Sequence, residues 1–254
     1  MRVLVPLFWS LPTLASVQVD PFSPLGVFGE RISCEVCLNV EQISGVVPNF
    51  SVSPRDELKL ELSGSWYTND TVGVRITSSA QSVSWPNGET ISGPGDIKLG
   101  TSWRIFERSN SSLWLDWSTK MPNAQDTSGL GTDETDVSVG AYGRWSNDHI
   151  GLVAGGELQI LGDPLQYANQ DDVMLVGAAI DTSLRNFNFR GRVIARLESP
   201  RNPLDLKVGL GVERKHGNWG YGLNSTAGLS PAAGDYSISA SIHRMWACPT
   251  ANGD

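Results

Sequence analysis

From residue 30 onward the chain alternates apolar and polar positions with a period of two, and a helical period fits almost nowhere. In 187–198 (FNFRGRVIARLE), Phe187, Phe189, Val193, Ala195 and Leu197 share one parity, against Asn188, Arg190, Arg192, Arg196 and Glu198. In 204–213, Leu204, Leu206, Val208, Leu210 and Val212 alternate with Asp205, Lys207, Gly209, Gly211 and Glu213. Leu58, Leu60, Leu62 and Trp66 alternate with Glu57, Lys59, Glu61, Ser63 and Ser65. Leu113, Leu115, Trp117 and Met121 oppose Trp114, Asp116, Ser118 and Lys120, and Ile150, Leu152, Ala154, Leu158 and Ile160 oppose Gly151, Glu157 and Gln159. Such runs reach about ten residues, longer than the usual globular strand and enough to cross a bilayer at a tilt.

The pattern predicts twelve strands, at 31–41, 57–67, 71–84, 95–107, 112–121, 135–146, 149–161, 172–183, 187–198, 204–215, 218–229 and 235–246. Their connections alternate between tight turns and the longer stretches 42–56, 85–94, 122–134, 162–171, 199–203 and 230–234. Short turns at one end and long loops at the other are the habit of bacterial outer-membrane barrels, and both termini at the short-turn end require an even strand number. The expected fold is all-β: a single closed antiparallel transmembrane β-barrel of about twelve strands in an up-and-down meander.

The first strand excludes one covalent alternative. Cys34 and Cys37 lie three residues apart within it, roughly 10 Å along an extended chain, and a disulfide needs Cα atoms within about 7 Å. The strand is preferred to the disulfide. A zinc site is not expected, since His149, His216 and His243 lie in separate distant segments. Trp66, Trp145, Trp219 and Trp246 all fall on the apolar parity at the short-turn end, as a membrane-interface girdle requires. The last strand closes on Trp246, the kind of terminal aromatic that serves as a barrel-assembly signal, and the tail ACPTANGD follows it.

One stretch is more specific. Gly93-Pro94-Gly95-Asp96-Ile97-Lys98-Leu99-Gly100 enters a strand, Lys120-Met121-Pro122 ends the next, and Gly129-Leu130-Gly131-Thr132 leads to Asp136-Val137-Ser138-Val139-Gly140. This resembles the outer-membrane family of meta-pathway phenol-degradation (MetA-type) proteins, often described as transporters, whose pattern is approximately G-x-G-D, K-x-P-T-G and G-x-G-x-x-D. Asn123 stands where the family usually has Thr. The resemblance implies a small outer-membrane barrel tied to uptake of small, aromatic compounds.

Composition changes the picture in two ways. A net charge of −8 argues against nucleic acid as a partner. Only 18% charged residues, with 27 Gly, 9 Trp and no long apolar run, suit a barrel whose lipid face alternates with a polar lumen. Residues 1–15 (MRVLVPLFWSLPTLA) have the short positive end and brief apolar stretch of a signal peptide. The expected organisation is then 16–30 as an extended segment, 31–246 as the barrel and 247–254 as a tail, with the protein in the bacterial outer membrane. Outer-membrane lipid, a small-molecule solute and the barrel assembly machinery are the implied partners; neither cofactor nor metal is.

No G-x-S-x-G elbow, P-loop or dinucleotide fingerprint occurs. His243 shares a face with Ser239 and Ser241, an arrangement more often lumen filling than a nucleophile and base; no catalytic residue is assigned. Asn49, Asn69, Asn110 and Asn224 begin N-x-S/T triplets and read as turn chemistry. Asp126, Asp133 and Glu134 read as part of a solvated loop. The expected functional surface is the polar parity, with Lys59, Glu61, Lys98, Arg104, Asp116, Glu157, Arg190, Arg192, Arg196, Lys207, Asp205 and Glu213 as pore-lining residues. Three arginines on one face of 187–198 either favour anionic solutes or pair with Asp205 or Glu213 across strands. The leading expectation is a channel or facilitator for small, aromatic or anionic solutes. The alternatives are a non-conducting barrel with a filled lumen, a secreted soluble β-sandwich, and, least, a barrel hydrolase built on His243.

Overall fold

A computed structural model describes residues 33–45, 55–67, 71–85, 88–123, 135–162, 172–197, 204–230 and 236–247. The proposed signal peptide, segment 16–30, the tail with Cys248, and Asn49, Asn69, Asp126, Asp133, Glu134 and Glu198 lie outside them.

The structure is an all-β antiparallel up-and-down meander. Its strands are β1 (Ser33–Gly45), β2 (Arg55–Tyr67), β3 (Val72–Ser84), β4 (Thr90–Arg108), β5 (Ser111–Met121), β6 (Asp136–Ser146), β7 (Ile150–Ile160), β8 (Val173–Leu184), β9 (Phe187–Leu197), β10 (Asp205–His216), β11 (Trp219–Gly228) and β12 (Tyr236–Ala247). Each strand pairs with its successor, and β1 is in register with both β2 and β12. Cys34 and Cys37 both fall within β1, where the alternation predicts an extended chain.

The tight turns explain how neighbouring strands stay in register. Ser109, Arg185 and Gly217 take positive φ (44°, 56° and 60°) at the first position of two-residue hairpins completed by Asn110, Asn186 and Asn218, the backbone twist such loops require. In the β6–β7 turn, Asn147 Oδ1 accepts from the backbone N–H groups of both His149 and Ile150 at 2.8 Å, an Asx turn.

One element departs from expectation. The stretch 85–94, expected as one of the longer connections, is strand from its sixth residue on: β4 begins at Thr90 and runs for 19 residues. Val83 packs with Trp85 and Ile91, and Ser82 Oγ meets Ser92 Oγ at 2.7 Å across the ladder. Pro94 is tolerated because the β3–β4 register shifts beside it, between Ser78 and Ala80; a bulge leaves a residue outside the ladder. Asn224 also departs. It is buried within β11 and donates to Ser239 Oγ at 3.4 Å, so it is a strand residue and not a turn residue.

The two faces of the sheet have opposite chemistry. Leu58, Leu60, Leu62, Leu152, Leu158, Ile160, Leu210, Leu223 and Ile238 are all exposed, while the intervening Glu57, Glu61, Glu157, Gln159, Lys207, Thr226 and Ser237 are buried. A soluble protein would not expose such a belt. A bilayer makes it the low-energy arrangement, because lipid solvates the leucines and the ladders between neighbouring strands pair backbone groups that lipid could not solvate.

Candidate functional site

The buried face carries every pore-lining residue predicted from the alternation. Glu61, Asp116, Glu157, Arg190, Arg192, Lys207 and Glu213 are buried, and Lys59, Lys98, Arg104, Arg196 and Asp205 are half-buried. Their ladder neighbours also face inward: Lys98 pairs with Lys120, Asp116 with Gly140, Arg192 with Gly209 and Arg196 with Asp205.

Most of these charges are neutralised locally. Lys59 Nζ lies 2.8 Å from Glu61, Lys207 Nζ 3.0 Å from Asp205, and Arg104 Nη1 3.1 Å from Glu107. Ser102 Oγ donates to Asp116. Glu157 accepts from Gln159 Nε2 at 2.8 Å, and Arg192 Nη2 donates to Thr226 Oγ1 at 2.8 Å. Toward the long-loop end, Lys120 bridges Asp136 (2.8 Å) and Asp96 (3.4 Å).

The arginine strand corrects one expectation. The partner of Arg190 is Asp181 on β8, reached by Nε to Oδ1 and by Nη2 to Oδ2 at 3.0 Å. It is neither Asp205 nor Glu213. Arg190 faces Asp181 on one side and the side-chain-free Gly211 on the other, so the only carboxylate opposite it in either ladder is on β8. Glu213 instead stands 3.6 Å from His243 Nε2. Ser239 accepts from Asn224. His149 and His216 are exposed at the short-turn end. Among the described residues no group of three or more His, Cys, Asp or Glu side chains is placed to hold a metal ion.

The inward face is not uniformly polar, contrary to the period-two reading. Trp114, Tyr142, Val153 and Ile194 form a buried cluster on β5, β6, β7 and β9, and Leu161, Val173 and Leu175 form a second. The Trp114 and Tyr142 rings are parallel within 2° at 6.2 Å, and the Arg104 guanidinium lies 5.6 Å from the Trp114 centroid. The wall is thus an aromatic surface edged by a cation. Trp114 sat visibly on the polar parity of its strand, and that mismatch was the available signal.

Gly155 is what lets Tyr142 lie against the wall. A Cβ at 155 would run into the Ala141 carbonyl and the Tyr142 Cα and Cβ, while one at Gly143 would meet nothing nearer than 4.0 Å. Gly155→Ala is therefore expected to lower the unfolding free energy by about 1–3 kcal/mol through overpacking against backbone. Gly143→Ala should be neutral or slightly stabilising, as reduced unfolded-state entropy predicts. Urea unfolding in detergent checks both; equal effects would sink the steric account.

The short-turn end carries the expected aromatics on its exposed face. Trp66, Trp145 and Trp219 are each about two-fifths exposed, joined by Trp103, which the sequence reading missed. The side chain of Trp246 lies outside the described residues.

No protein-family model matches the sequence, and no curated protein matches it. Solved structures do match. An outer membrane channel from Pseudomonas putida F1 superposes with a TM-score of 0.70 at 11% identity, over 90% of this chain and 100% of that one. The translocator domain of the autotransporter NalP from Neisseria meningitidis gives 0.60 at 13%, over 89% and 91%. The CymD monoaromatic hydrocarbon channel gives 0.53 at 10%, over 91% of both chains. At these identities the likeness is one of fold. With the exposed apolar belt and the charged inner face, it defines a bacterial outer-membrane β-barrel protein.

Proposed function

We propose that the protein is a narrow channel or facilitator for small solutes, a closed twelve-stranded barrel allied to the meta-pathway phenol-degradation family. The ladders of β1 with both β2 and β12 support closure. The observation that carries the function is the amphiphilic inner wall: the Trp114–Tyr142 stack beside Arg104, with charge pairs on the same inward face. Such a wall suits a solute with an aromatic ring and an anionic group, taking the ring by stacking and the anion by Arg190, Arg192 and Arg196. That CymD is a monoaromatic hydrocarbon channel supports the aromatic part of this reading. In the same reading, residues 1–15 direct export, the barrel assembly machinery inserts residues 31–246, and Trp66, Trp145, Trp219 and Trp246 anchor it.

A second reading, a non-conducting filled barrel, is favoured by the tight inner packing, in which Lys120 and Glu213 are each only 1% exposed. Conductance of the refolded protein in a planar bilayer separates the two, with folding verified by heat-modifiable gel mobility. The channel reading expects steady steps with anion bias. It also expects benzoate to block at about two- to tenfold lower concentration than acetate, the worth of one aromatic contact, with the difference lost in Trp114→Ala. A folded but silent barrel would overturn it in favour of the filled barrel.

A further inference from the structure

Among the described residues, the charged side chains at outward positions of the strands are Asp56 at the long-loop end and Arg108, Arg214 and Arg244 at the short-turn end. Cations alone therefore mark one rim of an otherwise apolar belt. Two of the three are held in place. The Arg214 guanidinium lies 5.7 Å from the centroid of Phe187, its ladder partner on β9, and the Arg244 guanidinium lies 5.3 Å from that of Trp219, its ladder partner on β11. Tyr221, the other ladder partner of Arg214, fills the strand between them.

We propose that this rim binds an anionic phospholipid, with Arg214 and Arg244 on the headgroup phosphate and Phe187, Trp219 and Tyr221 against the glycerol and upper acyl chain. Arg214 and Arg244 face Tyr221 and Trp219 of β11, two strands apart and offset by two residues, so their Cα atoms stand roughly 12 Å from each other, within reach of one phosphodiester for side chains as long as arginine. Both sit at the depth where Trp and Tyr mark the interface, and stacking on a ring fixes a guanidinium that would otherwise be free to turn into water. The outward positions of β9, β10, β11 and β12 carry no carboxylate among the described residues, so nothing on this face competes for the arginines. A zwitterionic headgroup brings its own ammonium and gains less. Short turns face the periplasm in such barrels, which places the site in the inner leaflet, where phospholipid is available. The site stands whether or not the lumen conducts.

The test is lipid retention by the full refolded protein in neutral detergent. The protein is titrated with phosphatidylglycerol or phosphatidylethanolamine of matched chains, and bound lipids are counted by native mass spectrometry. At the usual worth of one cation near an anionic headgroup, the two arginines together should favour phosphatidylglycerol by roughly 30-fold and either alone by about fivefold. The R214Q/R244Q variant should lose the preference, R214K/R244K should keep most of it, and Asp56→Asn at the far rim should leave it intact. If R214Q/R244Q does not fold, Trp219→Leu, which removes the ring beneath Arg244, should still lower the preference severalfold. Equal retention of both lipids by the wild type, or an undiminished preference in the folded glutamine variant, would overturn the proposal. So would displacement of the lipid by inorganic phosphate at matched concentration, which would reassign the site to free anions.

Discussion

Replacing Lys120 with Met is expected to cost about 3–5 kcal/mol of stability, the usual loss when one member of a buried ion pair is removed. Lys120 is the central brace of the inner wall. Its ammonium lies 2.8 Å from Asp136 and 3.4 Å from Asp96, joining β4, β5 and β6. Each aspartate also secures the chain where it leaves or approaches the sheet: Asp136 Oδ1 accepts from the N–H of Gly162 at 3.0 Å, and Asp96 Oδ1 from that of Asn123 at 3.1 Å. Met fills nearly the same volume, so the loss isolates charge from packing. It leaves two buried carboxylates without the cation between them, and their mutual repulsion adds to the desolvation they already bear. Urea midpoints followed by gel mobility in detergent give the measurement. The triple variant Lys120→Met, Asp96→Asn, Asp136→Asn should recover most of the loss, since neutral groups of similar shape keep the aspartate hydrogen bonds without the charge. An unchanged midpoint in Lys120→Met alone would mean that water or other groups already neutralise the pair.

The elements that were legible in the sequence are those in which one strand's two faces differ. In β9 the alternation of Phe187, Phe189 and Val193 with Arg190 and Arg192 leaves one arrangement open beside lipid, and the structure adopts it. In β8 the run Val173-Met174-Leu175-Val176 is apolar on both parities, so its inward Val173 and Leu175 were invisible as lumen residues. Asp181 was missed for a different reason. Its role depends on standing opposite Arg190, and register is a property of the pairing and not of either strand. Gly93 and Gly95, residues suited to a turn entering a strand, lie inside β4 instead, because turn chemistry and bulge chemistry use the same residues. What decided between them was the cross-strand contact of Ile91 with Val83, which only the folded β3–β4 ladder brings together.

The same Asp181–Arg190 pair decides whether the inner charges serve packing alone. Asp181→Asn breaks a two-pronged, buried contact and should cost about 3–5 kcal/mol, because the guanidinium stays behind without its carboxylate. Replacing both residues with apolar ones of similar size, Asp181→Leu with Arg190→Met, should return stability close to that of the unmodified protein, since no uncompensated charge then remains. Conductance adds a readout that stability lacks. If solutes pass along β9, Asp181→Asn exposes an unneutralised cation to them, so anion preference should rise even as stability falls, and the double apolar variant should lower that preference below the starting value. Opposite movements of the two quantities in one variant are hard to obtain from a structural defect, which would lower stability and leave the reversal potential where it was. A reversal potential unmoved in both variants, in a barrel that still conducts, would place the solute path away from Arg190 and return the arginines to the role of lumen filling.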